Sequence, residues 1–121
     1  MADEFEMHDS GKRESFETGA VRDIRTGKGR YDLIPGKPLH RLAVLYEKGA
    51  EKYADRNWEK GMQFSRTLDS LQRHANSYKM GMRDEDHLAA IAWNAFALMF
   101  YEEQIKRGKL PSELDDLPRE V

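Results

Sequence analysis

The chain has no cysteine, which excludes disulfides, zinc–thiolate centres and cysteine nucleophiles and fits a reducing compartment. It also lacks any apolar run near the ~20 residues that span a bilayer. The opening Met1–Glu4 is acidic and leads into no apolar stretch of the signal-peptide kind. These absences make the cytoplasm the expected location, with no membrane partner. An excess of one charge is missing too: 20 Lys and Arg against 22 Asp and Glu leave a net charge of -2. A chain so balanced has no general attraction for nucleic acid or an anionic membrane. Without a basic recognition helix, a DNA-binding role is disfavoured. There is no internal repeat and no low-complexity tract. The 121 residues suffice for one domain with a modest core.

What is present is helical. Residues 1–15 are polar and expected to be flexible. Gly19, Gly27, Gly29, Pro35 and Gly36 punctuate residues 16–38 too densely for a regular helix, so an irregular arm with short extended pieces is expected. Pro38 suits a first helical turn. Leu39, Leu42, Ala43, Tyr46, Ala50 and Tyr53 then follow a helical stripe that fades at Ala54–Asp55. Gly49 lies within that stripe at a cost of about 1 kcal/mol relative to alanine, which suggests close approach by a helix or a ligand. Ser65 is placed to cap a second helix ending near Met80 and Gly81. Asp84 or Asp86 opens a third helix, from about His87 to Arg107, stopped by Gly108. Pro111–Leu114 makes at most one more turn before an acidic tail at 111–121. The fold class is therefore all-α, a bundle of three to four main helices behind an N-terminal irregular arm. The third helix is apolar on more than one side, so a homo-oligomer, dimer or tetramer, is expected.

The chemistry concentrates on the first helix. Glu47 and Glu51 are four residues apart and share a helix face. Paired carboxylates suit a hard cation such as Mg²⁺, and the cluster Asp84-Glu85-Asp86 offers a third acid. The plain alternative is a solvated charged face, since both glutamates have lysine neighbours. Tyr46, Tyr53 and Trp58 can pack on a base, and Lys52 can meet a phosphate. Gly27-Lys28-Gly29-Arg30 lets backbone and charge approach phosphate, although it is no Walker A motif and equally describes a basic surface loop. Arg73 suits a phosphate or an acid such as Asp69. His74 suits a metal, a proton transfer or a backbone carbonyl. His87 and Asn94 share a helix face two turns apart, and Asn94 either reads a base, orients a carboxylate or ties helices together.

These stretches in this order resemble a known family: Thr18–Asp23, Gly27–Pro35, Tyr46–Tyr53 with Asn57-Trp58, Arg73-His74, and Asp84–Ala89 through Trp93-Asn94. It is the phage-type dATP/dGTP diphosphohydrolases, relatives of the all-α, MazG-like NTP pyrophosphohydrolases. The resemblance covers about residues 16–105, within a helical domain set at 16–110. It implies a Mg²⁺-dependent site, with Mn²⁺ as a substitute, that cleaves dGTP or dATP to dNMP and pyrophosphate. In the wider group the metal acids come as E-x-x-E on one helix and E-x-x-D on the next. This chain has E-x-x-x-E instead, and its third helix offers His87 and Ala90 at the second pair of positions. The transferred metal set is Glu47, Glu51 and Asp86, with Asp84, Glu85 and His87 as alternates. The resemblance implies that Glu47 and Glu51 carry the catalysis. Lys28, Arg30, Lys52, Asn57, Trp58, Arg73, His74 and Asn94 are expected to bind substrate. The competing class is a non-catalytic nucleotide- or protein-binding helical module.

Overall fold

The computed structural model describes residues 5–120; the acidic Met1–Glu4 and Val121 lie outside the described residues. The chain divides into two compact units, residues 1–34 and 35–121.

In the first unit, β1 (Arg13–Ser15) pairs antiparallel with β2 (Val21–Asp23), Arg13 facing Asp23 and Ser15 facing Val21. The turn between them is held by Phe16 N–H to Ala20 O at 2.9 Å, with Gly19 at φ 90° where glycine is favoured. β1 thus lies wholly within the stretch expected to be flexible. Its order comes from the backbone ladder and from polar ties, Arg13 to Asp9 at 2.8 Å and Ser10 to Asp23, none of which requires an apolar side chain. Gly27 and Gly29, both at φ 85°, shape the loop that follows.

The second unit is all-α. Helix α1 spans Gly36–Tyr53, α2 Phe64–Lys79 and α3 His87–Lys106. Short 3₁₀ turns lie at Tyr31–Leu33, Asn57–Lys60 and Ser112–Leu114. Pro38 sits in the first turn of α1, where its missing N–H leaves no bond unmade. Both α2 and α3 end on a glycine of positive φ. Gly81 N–H reaches Tyr78 O at 3.0 Å and Met82 N–H reaches Ser77 O at 3.0 Å, and Gly108 and Lys109 repeat the pattern on Ile105 and Gln104. These paired bonds satisfy carbonyls that a helix end otherwise leaves open.

Two expectations change. Ser65 does not cap α2. It lies inside the helix, and its N–H and hydroxyl both donate to the Asp116 carboxylate, at 2.8 and 2.6 Å. An open donor of the first turn is satisfied from 51 residues away, which no local motif could announce. Among the described residues, nothing beyond its own helix turn lies within 4 Å of where a Cβ on Gly49 would stand, so no packed helix explains it.

The core lies where α2 and α3 meet: Phe64, Ala97 and Tyr101 are buried, with Trp58, Trp93, Phe100 and Leu110 packed around them. Leu114 and Leu117 close the same cluster, so the segment after α3 covers the core as well as capping α2. Tyr46, Trp58 and Trp93 form an aromatic triangle with centroids 5.8 to 6.0 Å apart, spacing at which tilted and edge-on rings attract.

The α1–α2 connection holds two non-glycine residues of positive φ, Arg56 at 59° and the more strained Ala54. Ala54 has φ 115°, ψ 157°, a region nearly reserved for glycine, while Gly61 has φ 110°, ψ 136°. A Cβ at Gly61 would also stand 2.9 Å from Leu114 Cδ1. Opposite outcomes are expected from exchanging the two residue types. Ala54→Gly should raise the urea midpoint, because relief of about 1–3 kcal/mol of strain exceeds glycine's entropic cost of about 0.5–1 kcal/mol. Gly61→Ala should lower it. Chemical denaturation of the two variants checks both signs.

Candidate active site

Helix α1 presents Glu47 and Glu51 to solvent, one turn apart. The ion pairs of α1 and the turn after it are made by other residues, Arg41 with Asp86 and Arg56 with Glu59. Both glutamates therefore keep their oxygens for an outside ligand. Lys52 is exposed beside them, its Nζ 5.1 Å from the ring centroid of Tyr53, itself 61% exposed. Asn57 is half-buried at the start of its 3₁₀ turn.

A second constellation forms where α1 faces the turn between α2 and α3. An open depression of ≈ 390 Å³ there is lined by Arg41, Lys48, Arg83, Asp84, Glu85 and Asp86, among others. Asp86 is the N-cap of α3 and accepts from Ala89 N–H at 3.1 Å. Arg41 binds the same carboxylate through both of its oxygens, at 2.9 and 2.6 Å. The structure does not gather Glu47, Glu51 and Asp86 within ligand reach of one another. The grouping that does lie within such reach, among the described residues, is His74, Glu85 and His87. The reason is local: a residue with the right charge for a metal also has the right shape for a helix cap, and Arg41 completes it.

The Arg41 guanidinium, hydrogen-bonded to Asp86, holds the carboxyl below its ordinary range, and the hydrogen bond from His87 does the same for Asp84. A depressed carboxylate pKa contributes stability that is fully present above the unfolded value of about 3.9 and is lost as pH falls through the folded one. Wild-type thermal stability should therefore decline below about pH 4, and Asp86→Ala should flatten that decline. Equal slopes in the two proteins would contradict the pairing.

His87 is buried. Its Nε2 lies 3.0 Å from Asp84 Oδ1 and its Nδ1 lies 2.9 Å from His74 Nδ1. An ionised carboxylate only accepts, so His87 Nε2 carries the proton. In its neutral tautomer His87 would accept at Nδ1 from His74. Burial lowers the pKa of His74, favouring its neutral form.

Several expected substrate residues have partners within the chain. Trp58 is partly buried and packed within the chain, its ring 4.9 Å from Phe100 and 6.2 Å from Tyr101 by centroid. Asn94 is buried and donates to Ala90 O at 2.8 Å and Ser70 Oγ at 3.5 Å, so it ties α3 to α2. Arg73 is exposed and reaches only Ser70 Oγ, at 3.4 Å. In the first unit Lys28 pairs with Asp23 at 2.9 Å, and Arg30 makes two 2.8 Å bonds to Asp32. A depression of ≈ 500 Å³ beside them is lined by Arg13, Arg25, Gly27, Gly29 and Arg30, among others. Arg41 and Lys48 were missed in the sequence. Arg41 lies 45 residues from Asp86, beyond any motif, whereas the D-x-x-H spacing of Asp84 and His87 is a local signal that could have been found.

The sequence model of one protein family, described as dATP/dGTP diphosphohydrolase, N-terminal, matches residues 18–110. The chain belongs to this family. No curated protein and no solved structure matches it. The dATP/dGTP diphosphohydrolase match takes in α1, α2, α3 and the glycine-rich loop, and the three-helix body agrees with an all-α, MazG-like fold. At family level the chain is a nucleotide hydrolase. No described helix is long and apolar enough to cross a membrane.

The divalent ion implied by the family can be tested against the donors present. Glu47 and Glu51 fit a hard ion that keeps several waters and takes one or two carboxylates plus substrate phosphate oxygens. Asp86 does not fit as it stands, because Arg41 and Ala89 N–H hold both of its oxygens.

Proposed function

We propose that the protein hydrolyses dGTP, dATP or both between the α- and β-phosphates, with water as the second substrate and dNMP and pyrophosphate as products. The observation that carries this reading is the family match over residues 18–110, a span that includes Glu47 and Glu51. Glu47 and Glu51 would hold Mg²⁺, with Mn²⁺ as a substitute. Bound there, the ion supplies charge neutralisation for the phosphate chain and acidifies water. Glu51 also orients the attacking water and accepts its proton. Lys52 and Arg73 supply positive charge for the phosphates. Exposed Tyr53 takes the base-stacking role that packed Trp58 does not, and Asn57 reads the base edge. Leu88, Phe96 and Met99 on α3 are 41%, 49% and 56% exposed, an apolar face that supports a homo-oligomer. The biological role proposed is remodelling of the nucleotide pool in the cytoplasm of a host carrying a phage or prophage.

Pyrophosphate release from a panel of dNTPs and NTPs, with and without Mg²⁺, tests the reading. Purine deoxynucleotides should be turned over only with the ion present. No release from any of them with Mg²⁺ or Mn²⁺ would overturn it.

A further inference from the structure

The carboxylate pair on α1 leaves unexplained the contact between two imidazoles of α2 and α3. His74, in the middle of α2, and His87, the first residue of α3, point Nδ1 at Nδ1 across 2.9 Å. One ring nitrogen of each and a carboxylate oxygen of Glu85 all lie within 4.8 Å of one another. His87 is buried, so its nitrogen is aimed by packing rather than by chance on a surface. Asp84 accepts from the far nitrogen, Nε2, at 3.0 Å. A carboxylate behind an imidazole is the usual second layer of a metal site, where it fixes the tautomer and leaves the near nitrogen with its lone pair.

We propose that His74, His87 and Glu85 form a second divalent-metal site, separate from Glu47 and Glu51, that takes a borderline first-row transition ion rather than Mg²⁺. Imidazole suits such ions, whereas Mg²⁺ prefers oxygen. A metal about 2.1 Å from each of two nitrogens 2.9 Å apart subtends about 90° between them. That angle belongs to neighbouring positions of a six-coordinate ion, and a tetrahedral one would need the rings to separate. Glu85 supplies the third ligand and water the remainder. The protons balance without net release from two neutral rings. His74 gives up the Nδ1 proton it shares with His87 and takes one at Nε2, while His87 keeps its own on Nε2 against Asp84. The charges of Asp84 and Glu85 match the two of the ion. Bound metal would clip the middle of α2 to the start of α3 and order the acidic turn between them.

The experiment is equilibrium dialysis of the full chain against Co²⁺ and against Ni²⁺, without nucleotide, in excess Mg²⁺. One ion per chain is expected, with a raised Tm. His74→Gln and His87→Gln should each weaken binding at least ~100-fold, and Asp84→Asn about 10–100-fold. Because His87 is buried, Glu85→Gln provides an exposed control that should cost about 10-fold with the helical circular dichroism unchanged. Glu47→Gln with Glu51→Gln should leave the affinity as in wild type. Binding that survives the histidine and Glu85 changes, binding lost in the Glu47/Glu51 double variant, displacement by Mg²⁺, or no retained ion would each overturn the site. Since no substrate is present, the outcome stands apart from whether dNTPs are hydrolysed.

Discussion

A Glu47→Gln, Glu51→Gln double variant should lose at least ~1,000-fold in kcat/KM for pyrophosphate release, equivalent to about 4 kcal/mol of transition-state stabilisation. The size follows from what is removed. Glutamine keeps the shape of each side chain but takes away the negative charge that binds a hard cation, and without that cation the phosphate chain meets only partial compensation from lysine and arginine. Stability should hardly change, because both side chains are exposed and outside the ion pairs of α1. Exposed substitutions of this kind stay within about 0.5 kcal/mol. The two measurements together make the result specific: lost turnover with unchanged unfolding assigns the pair to the reaction, whereas equal turnover returns it to a solvated helix face. Asp86→Ala gives the contrast. It should act mainly on stability, through the α3 cap and Arg41.

The helices were legible because their signals are local. Pro38, Gly81 and Gly108 mark ends that the structure places at or within two residues of the expected positions, and the apolar stripes lie between them. What could not be read is what one segment does to another. Ser65 has the right chemistry for a cap, yet Asp116 binds it from the far end of the chain. Trp58 looks like a base platform because it follows the acidic pair in sequence, but Tyr46, Trp93, Phe100 and Tyr101 surround it. Asp86 carries the right charge for a metal, and its position at a helix start commits it elsewhere. Glu47 and Glu51 could be paired from the sequence because one helical turn determines their relation. Whether an acid of the 84–86 cluster stands beside them depended on how α1 meets the α2–α3 turn, and that is a property of packing.

Tyr101→Ala should cost about 3–5 kcal/mol, the range for deleting a large buried aromatic. That is a large share of the roughly 5–15 kcal/mol that stabilises a domain. Tyr101 is 0% exposed, touches Phe64, Trp58 and Phe100, and donates its hydroxyl to Trp58 O at 2.6 Å. It therefore joins α2, α3 and the 3₁₀ turn that follows the acidic pair. Tyr101→Phe separates its two contributions. The ring stays and only the hydrogen bond goes, so a loss of about 1–2 kcal/mol is expected, from the net bond plus the stranded carbonyl. Burial pushes the hydroxyl up to about 12. A raised pKa adds stability that is fully present below the unfolded value of about 10 and is lost as pH rises through the folded one. Wild-type protein should thus lose stability between about pH 10 and 12, more steeply than Tyr101→Phe, which has no such proton to lose. Urea unfolding across that range, with the m-value unchanged, reads both effects. A Tyr101→Ala cost under about 1 kcal/mol would mean that the α2–α3 core is not organised around this ring.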